Sequence, residues 1–143
     1  METKKDIQTK SNFLVKKYHF RKNIINYIYQ FELFETNLST AEIINNKLNI
    51  VNEDELKTLE LIESKYETLK SIARKFLLNS WEWRRISPLA RAIIIFGIYE
   101  LSYNEPKVVI NEMINISKLL SPNDDYKFIN GILDKVSKQI INR

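Results

Sequence analysis

Apolar residues recur at three- and four-residue steps along almost the whole chain, and strand-like alternation is absent, so the pattern predicts helices throughout. Ile24, Ile28 and Phe31, widened by Ile25, Tyr27 and Phe34, mark the inner stripe of a first helix from about Tyr18 to Glu35. A capping box, Ser39-Thr40-Ala41-Glu42, opens a second helix that ends near Leu48. Asn52 caps a third, whose first turn is acidic and whose stripe is Leu56, Leu59, Ile62, Tyr66, Leu69, Ala73 and Phe76, which makes one helix of roughly seven turns. Ser87-Pro88 starts a fourth, and its segment AIIIFGIY at residues 92 to 99 is apolar or aromatic on every side, as in a helix wrapped by others. A fifth runs from about Pro106 to Leu120 with Val109, Met113, Ile116 and Leu120 inward. The sixth follows the capping cluster Ser121-Pro122-Asn123-Asp124, with Ile129, Ile132, Leu133, Val136 and Ile140 as its stripe.

Only two glycines occur in 143 residues, and Gly131 lies inside that last helix, where glycine costs about 0.5–1 kcal/mol against alanine. At about 100° per residue, Gly131 falls about 200° from Ile129, on the back of the helix, which predicts a close approach of another group there. Phe128 lies about 100° to the other side, at the edge of the stripe. Two readings of this ring stay open: ordinary core packing, or stacking on an unpaired base.

Composition narrows the class. At 44% hydrophobic and 28% charged, 143 residues fit one globular domain. There is no cysteine and only one histidine, His19, so neither a disulfide framework nor a thiolate or histidine metal site is expected. No segment approaches the length of a membrane helix and the start lacks a secretory core, so a cytoplasmic, cofactor-free protein is expected. The net charge of +4 is unevenly placed. Residues 1 to 22 hold seven Lys/Arg against Glu2 and Asp6, a net of +5, and the other 121 residues carry 15 Lys/Arg and 16 acids, a net of −1. The whole excess lies in a basic arm, residues 1–17, expected to be flexible, and at the start of the first helix, where phosphates would be met. Acidic runs such as Glu53-Asp54-Glu55 and Asp124-Asp125 sit at helix starts, where the dipole accounts for them, and no phosphate loop or nucleophile elbow is present. An enzyme is not expected.

The ordered set Trp81 with Arg85, ARAIIIFGIYEL, Pro106 followed by VVINEMINISK, and SPNDDYKFINGILDKV resembles the NusB family of bacterial transcription antitermination factors; RKNIINYIYQFEL is similar to the family's opening helix. The resemblance implies an all-helical bundle of six to seven helices in two three-helix units, forming a single domain over residues 1–143. It also implies binding of boxA-type single-stranded RNA together with the ribosomal protein NusE, in the RNA polymerase antitermination complex. Carried onto this chain, it implies RNA contacts at Lys16, Lys17, Arg21, Lys22, Asp124, Lys127 and Phe128, and partner contacts at Tyr29 and Arg91. Two positions depart from the family pattern: Ala90 stands where an acid is usual and Ile95 where an arginine is usual. The arm is lysine-rich, which keeps attraction to phosphates but gives up bidentate contacts to bases. The alternatives are a helical interaction module without an RNA role and a NusB-like accessory domain in RNA modification.

Overall fold

The computed structural model describes residues 2–46, 51–77, 81–121 and 123–141, and within them the regular structure is entirely helical. The elements are α1 (Lys4–Leu33), α2 (Thr40–Asn45), α3 (Glu53–Ser64), α4 (Tyr66–Lys75), α5 (Pro88–Leu101), α6 (Pro106–Leu120) and α7 (Asp125–Ile141), with one 3-10 turn (Trp83–Arg85) before α5. With α3 and α4 taken as one interrupted helix, α1, α2 and α3/α4 form one three-helix unit and α5, α6 and α7 the other. The expected end of α2 near Leu48, and Pro122 of the last capping cluster, lie outside the described residues.

The helix α1 begins well before Tyr18. Thr3 and Asp6 form a capping box, the Thr3 hydroxyl oxygen accepting from the Asp6 N–H while the Asp6 carboxylate accepts from the Thr3 N–H. No breaker follows, so the basic arm is the first part of a 30-residue helix rather than a loose tail. The expected seven-turn helix is instead two, broken at Lys65, whose backbone leaves helical geometry at ψ 7°. Beyond the break Tyr66 enters the interior, and its hydroxyl donates to Glu32 Oε2 at 2.8 Å.

Ser87 caps α5, its hydroxyl oxygen accepting from the Ala90 N–H, with Pro88 in the first turn. Every residue from Ala90 to Leu101 is buried, as the all-round apolar segment requires. Two charged residues near the ends of α5 are buried with it, and each finds its opposite on α1. Arg91 Nε donates to Glu32 Oε1 at 2.8 Å, and Arg21 Nε donates to Glu100 Oε1 at 2.7 Å. Since 21 pairs with 100 and 32 with 91, α1 runs antiparallel to α5.

On the other side of α5, Asp125 lies beside Ser87 and Leu133 against Gly97, so α7 runs parallel to it. A Cβ built on Gly97 would stand 2.9 Å from Leu133 Cδ1 and 3.3 Å from Met113 Cγ, so α6 and α7 both press close on α5 here. The close approach expected at Gly131 is absent: nothing lies within 4 Å of a Cβ there, and the residue is exposed. The rotation placed Gly131 on the back of α7 correctly, but that back faces solvent. The apolar stripe of α7 also ends sooner than expected, at Val136, and Ile140 is exposed.

Candidate nucleic-acid interface

The expected site residues fall into two groups at opposite ends of α5. Lys16, Lys17 and Lys22 are near the start of the packed part of α1, at the level of Glu100. Lys16 is exposed; Lys17 is partly covered and holds its ammonium 5.9 Å from the Phe20 ring centre. Residues 4 to 16 of the same helix, including Lys4, Lys5 and Lys10, are all exposed. Charge therefore stands on a helical extension that overhangs the bundle. A helix fixes the spacing of its lysines, whereas a loose tail would have to order itself on binding.

Asp124, Lys127 and Phe128 lie at the start of α7, near Ser87. The turn is held by Asp125, whose Oδ2 accepts from the Ser121 hydroxyl at 2.9 Å and the Ser87 hydroxyl at 3.3 Å, tying the beginning of α7 to the cap of α5. Asp124 and Lys127 are exposed and face each other at 3.8 Å. Phe128 is half-buried against the core, and the ring of Trp81 stacks on it with centroids 5.3 Å apart and planes 21° from parallel. The levels of Glu100 and Arg91 on α5 are nine residues apart, so the two groups are separated by about 14 Å or more along the bundle.

Two expected contact residues are not available at the surface. Arg21 is 6% exposed, its guanidinium holding both Glu100 carboxylate oxygens at 2.7 and 3.2 Å and lying 3.8 Å from Glu112. Its charge is neutralised inside the fold, so a direct RNA contact from Arg21 is replaced by a structural role: anchoring α1. Arg91 is corrected in the same way. It is 3% exposed, and besides Glu32 Oε1 it donates from Nη2 to the Glu32 carbonyl at 2.7 Å and from Nη1 to the carbonyls of Ile86 at 2.6 Å and Arg84 at 3.3 Å. With every nitrogen engaged and the side chain enclosed, it offers nothing to a partner. Tyr29, one turn before Arg91's partner Glu32, is half-buried against the core. Ala90 and Ile95, the two departures, are both buried.

In the sequence Trp81 stands out only as part of a motif; its pairing with Phe128 has no local signal, because 47 residues separate them. Among the described residues no three His, Asp or Glu side chains converge as a metal site, and no helix is long and apolar enough to cross a membrane.

Comparison with known proteins decides the kinship. The sequence pattern of the NusB family matches residues 19–138. The chain belongs to the NusB family. The transcription antitermination protein NusB of a Nitratiruptor species is 34% identical over 127 residues, covering 85% of this chain and 91% of that protein. The protein of the same name from Fervidobacterium nodosum is 35% identical over 106 residues, 68% of this chain and 74% of that one, and its counterpart from Campylobacter jejuni is 33% identical over 127 residues, 85% and 96%. The NusB match begins at His19, so most of the overhanging basic part of α1 lies before it.

Proposed function

We propose that this chain acts in transcription antitermination by binding boxA-type single-stranded RNA together with the ribosomal protein NusE, as part of the RNA polymerase antitermination complex. The observation that carries the reading is the placement of charge: with Arg21 paired in the interior, residues 1 to 22 still hold six lysines against Glu2 and Asp6, a net of +4 on exposed or partly exposed positions of α1, on a body that is otherwise close to neutral. Phosphates are held along the helical extension and around Lys16, Lys17 and Lys22, and an unpaired base is met at the start of α7, where an aromatic ring and polar side chains stand together. Tyr29 belongs to the surface offered to NusE. Arg21 and Arg91 act from inside, fixing α1 against α5 so that both groups keep their spacing. No acid–base pair or nucleophile is needed for this role.

The test is a titration of the full chain with a boxA-type oligoribonucleotide, alone and with NusE present. The expected result is binding that weakens as salt rises and tightens more than about tenfold when NusE is added, equivalent to about 1.4 kcal/mol. Absence of RNA binding under both conditions, with a salt-insensitive protein association in its place, would turn the reading to a helical interaction module.

A further inference from the structure

The ring stack at the start of α7 has an inner and an outer member. Phe128 is half-buried, packed against the core on one side and against Trp81 on another. Trp81 does not belong to that packed shell; it is 48% exposed, although it is one of only two tryptophans in the chain and among its largest apolar side chains. An indole left half in water while stacked on a phenyl ring lacks the covering that usually accompanies so large an apolar surface. Charges flank it with a positive balance: Arg84 and Arg85, in the 3-10 turn just after Trp81, have side chains 77% and 74% exposed and share the single carboxylate of Glu82 at 3.7 and 3.9 Å, while Lys127, one residue before Phe128, faces Asp124 at 3.8 Å. A flat, exposed ring bordered by exposed positive charge matches the chemistry of an unpaired nucleobase carried on a phosphate chain.

We infer that Trp81, not Phe128, is the ring on which an RNA base stacks, and that Phe128 is a positioning residue that holds the indole in place from behind. The inference rests on the RNA-binding reading above and names the base-contacting residue within it. Phe128 cannot offer Trp81's place to a base while the two rings stack; a base arriving there meets indole first. The larger ring also gives more stacking area than phenylalanine and accepts any base, since each has a π-face.

Three variants of the full chain, titrated with the same single-stranded boxA-type oligoribonucleotide, separate the possibilities. Trp81→Leu keeps an apolar cover on Phe128 but removes the aromatic face, and is expected to bind roughly tenfold more weakly with an unchanged thermal midpoint. Trp81→Phe restores a face and is expected to bind within about threefold of the parent. Phe128→Leu leaves the indole in place with a poorer backing, and its effect should be smaller than that of Trp81→Leu. In the parent protein tryptophan fluorescence is expected to be quenched by the RNA, with the quench largely gone in Trp81→Phe although that variant still binds. The inference is overturned if Trp81→Leu binds as the parent does, if Trp81→Phe is weakened as much as Trp81→Leu, or if Phe128→Leu alone abolishes binding. A parent protein that binds no RNA would instead remove the reading on which the inference stands.

Discussion

Replacing Arg91 with alanine would remove the cation from the most enclosed charge pair among the described residues. Glu32 would keep only the Tyr66 hydroxyl, 2.8 Å from Oε2, and the carbonyls of Glu32, Ile86 and Arg84 would lose the donors now at 2.7, 2.6 and 3.3 Å. A buried pair broken on one side costs about 3–5 kcal/mol, because the remaining charge has neither water nor counterion. Set against a typical total of about 5–15 kcal/mol for a domain, that takes a large part of the stability. Urea unfolding followed by far-ultraviolet circular dichroism would give the difference from the midpoint at constant slope. Arg91→Lys keeps the charge but cannot fork to all four acceptors, and should lose about 1.5–3 kcal/mol, the worth of a hydrogen bond to a charged group. It serves as the measurable variant if alanine prevents folding. In the Arg91→Ala background, Glu32→Gln should be much less harmful than in the parent, since the pair acts as a unit. A destabilisation below about 1 kcal/mol for Arg91→Ala, within the range of exposed pairs, would refute the burial of this pair and return Arg91 to the surface as a partner contact.

Two other perturbations follow from the packing and the buried hydroxyl. Gly131→Ala should stabilise the protein by about 0.5–1 kcal/mol in the same urea assay, because the new methyl meets nothing and the helix gains; destabilisation would show a neighbour at that face. Burial, and after it the Glu32 carboxylate, push the Tyr66 hydroxyl far above its ordinary value of 10.0. The folded protein therefore keeps that proton where the unfolded chain releases it, so stability is fully present below about pH 10 and falls as pH rises beyond it. Tyr66→Phe should lower stability at neutral pH and make the alkaline fall shallower, and an equally steep fall in both proteins would exclude Tyr66 as a contributor.

Legibility in the sequence followed the range of the interaction. Periodicity reports which side of a helix is apolar, and α5 and the caps at Ser39, Asn52 and Ser87 lie where it and local chemistry put them. It does not report what a face meets. Gly131 and Gly97 illustrate this: rotation located the first on a back face, but only the packing of Leu133 and Met113 shows that Gly97 is the close approach. The break at Lys65 was invisible because the stripe continues through Tyr66 at an ordinary four-residue step. The buried ion pairs did leave a trace. Arg21 stands three, four and seven residues before Ile24, Ile25 and Ile28, and Glu32 stands four after Ile28, so both occupy the apolar stripe of α1, while Arg91 and Glu100 flank the all-apolar run of α5. Charges of opposite sign on the inner faces of two helices predict pairing more readily than surface contact. The stack of Trp81 on Phe128 depends on α7 lying parallel to α5, which no local pattern encodes.

The central claim is that the positive charge on α1 meets phosphates, and the slope of RNA affinity against salt tests it most directly. The full chain and a Lys16→Gln, Lys17→Gln, Lys22→Gln variant would be titrated with the same boxA-type oligoribonucleotide over a series of salt concentrations. Each lysine–phosphate pairing removed should flatten the logarithmic slope by about 0.7, so removing three flattens it by about 2, with weaker binding at low salt. Identical slopes and affinities in the two proteins would contradict the account, leaving Lys16, Lys17 and Lys22 without a phosphate contact.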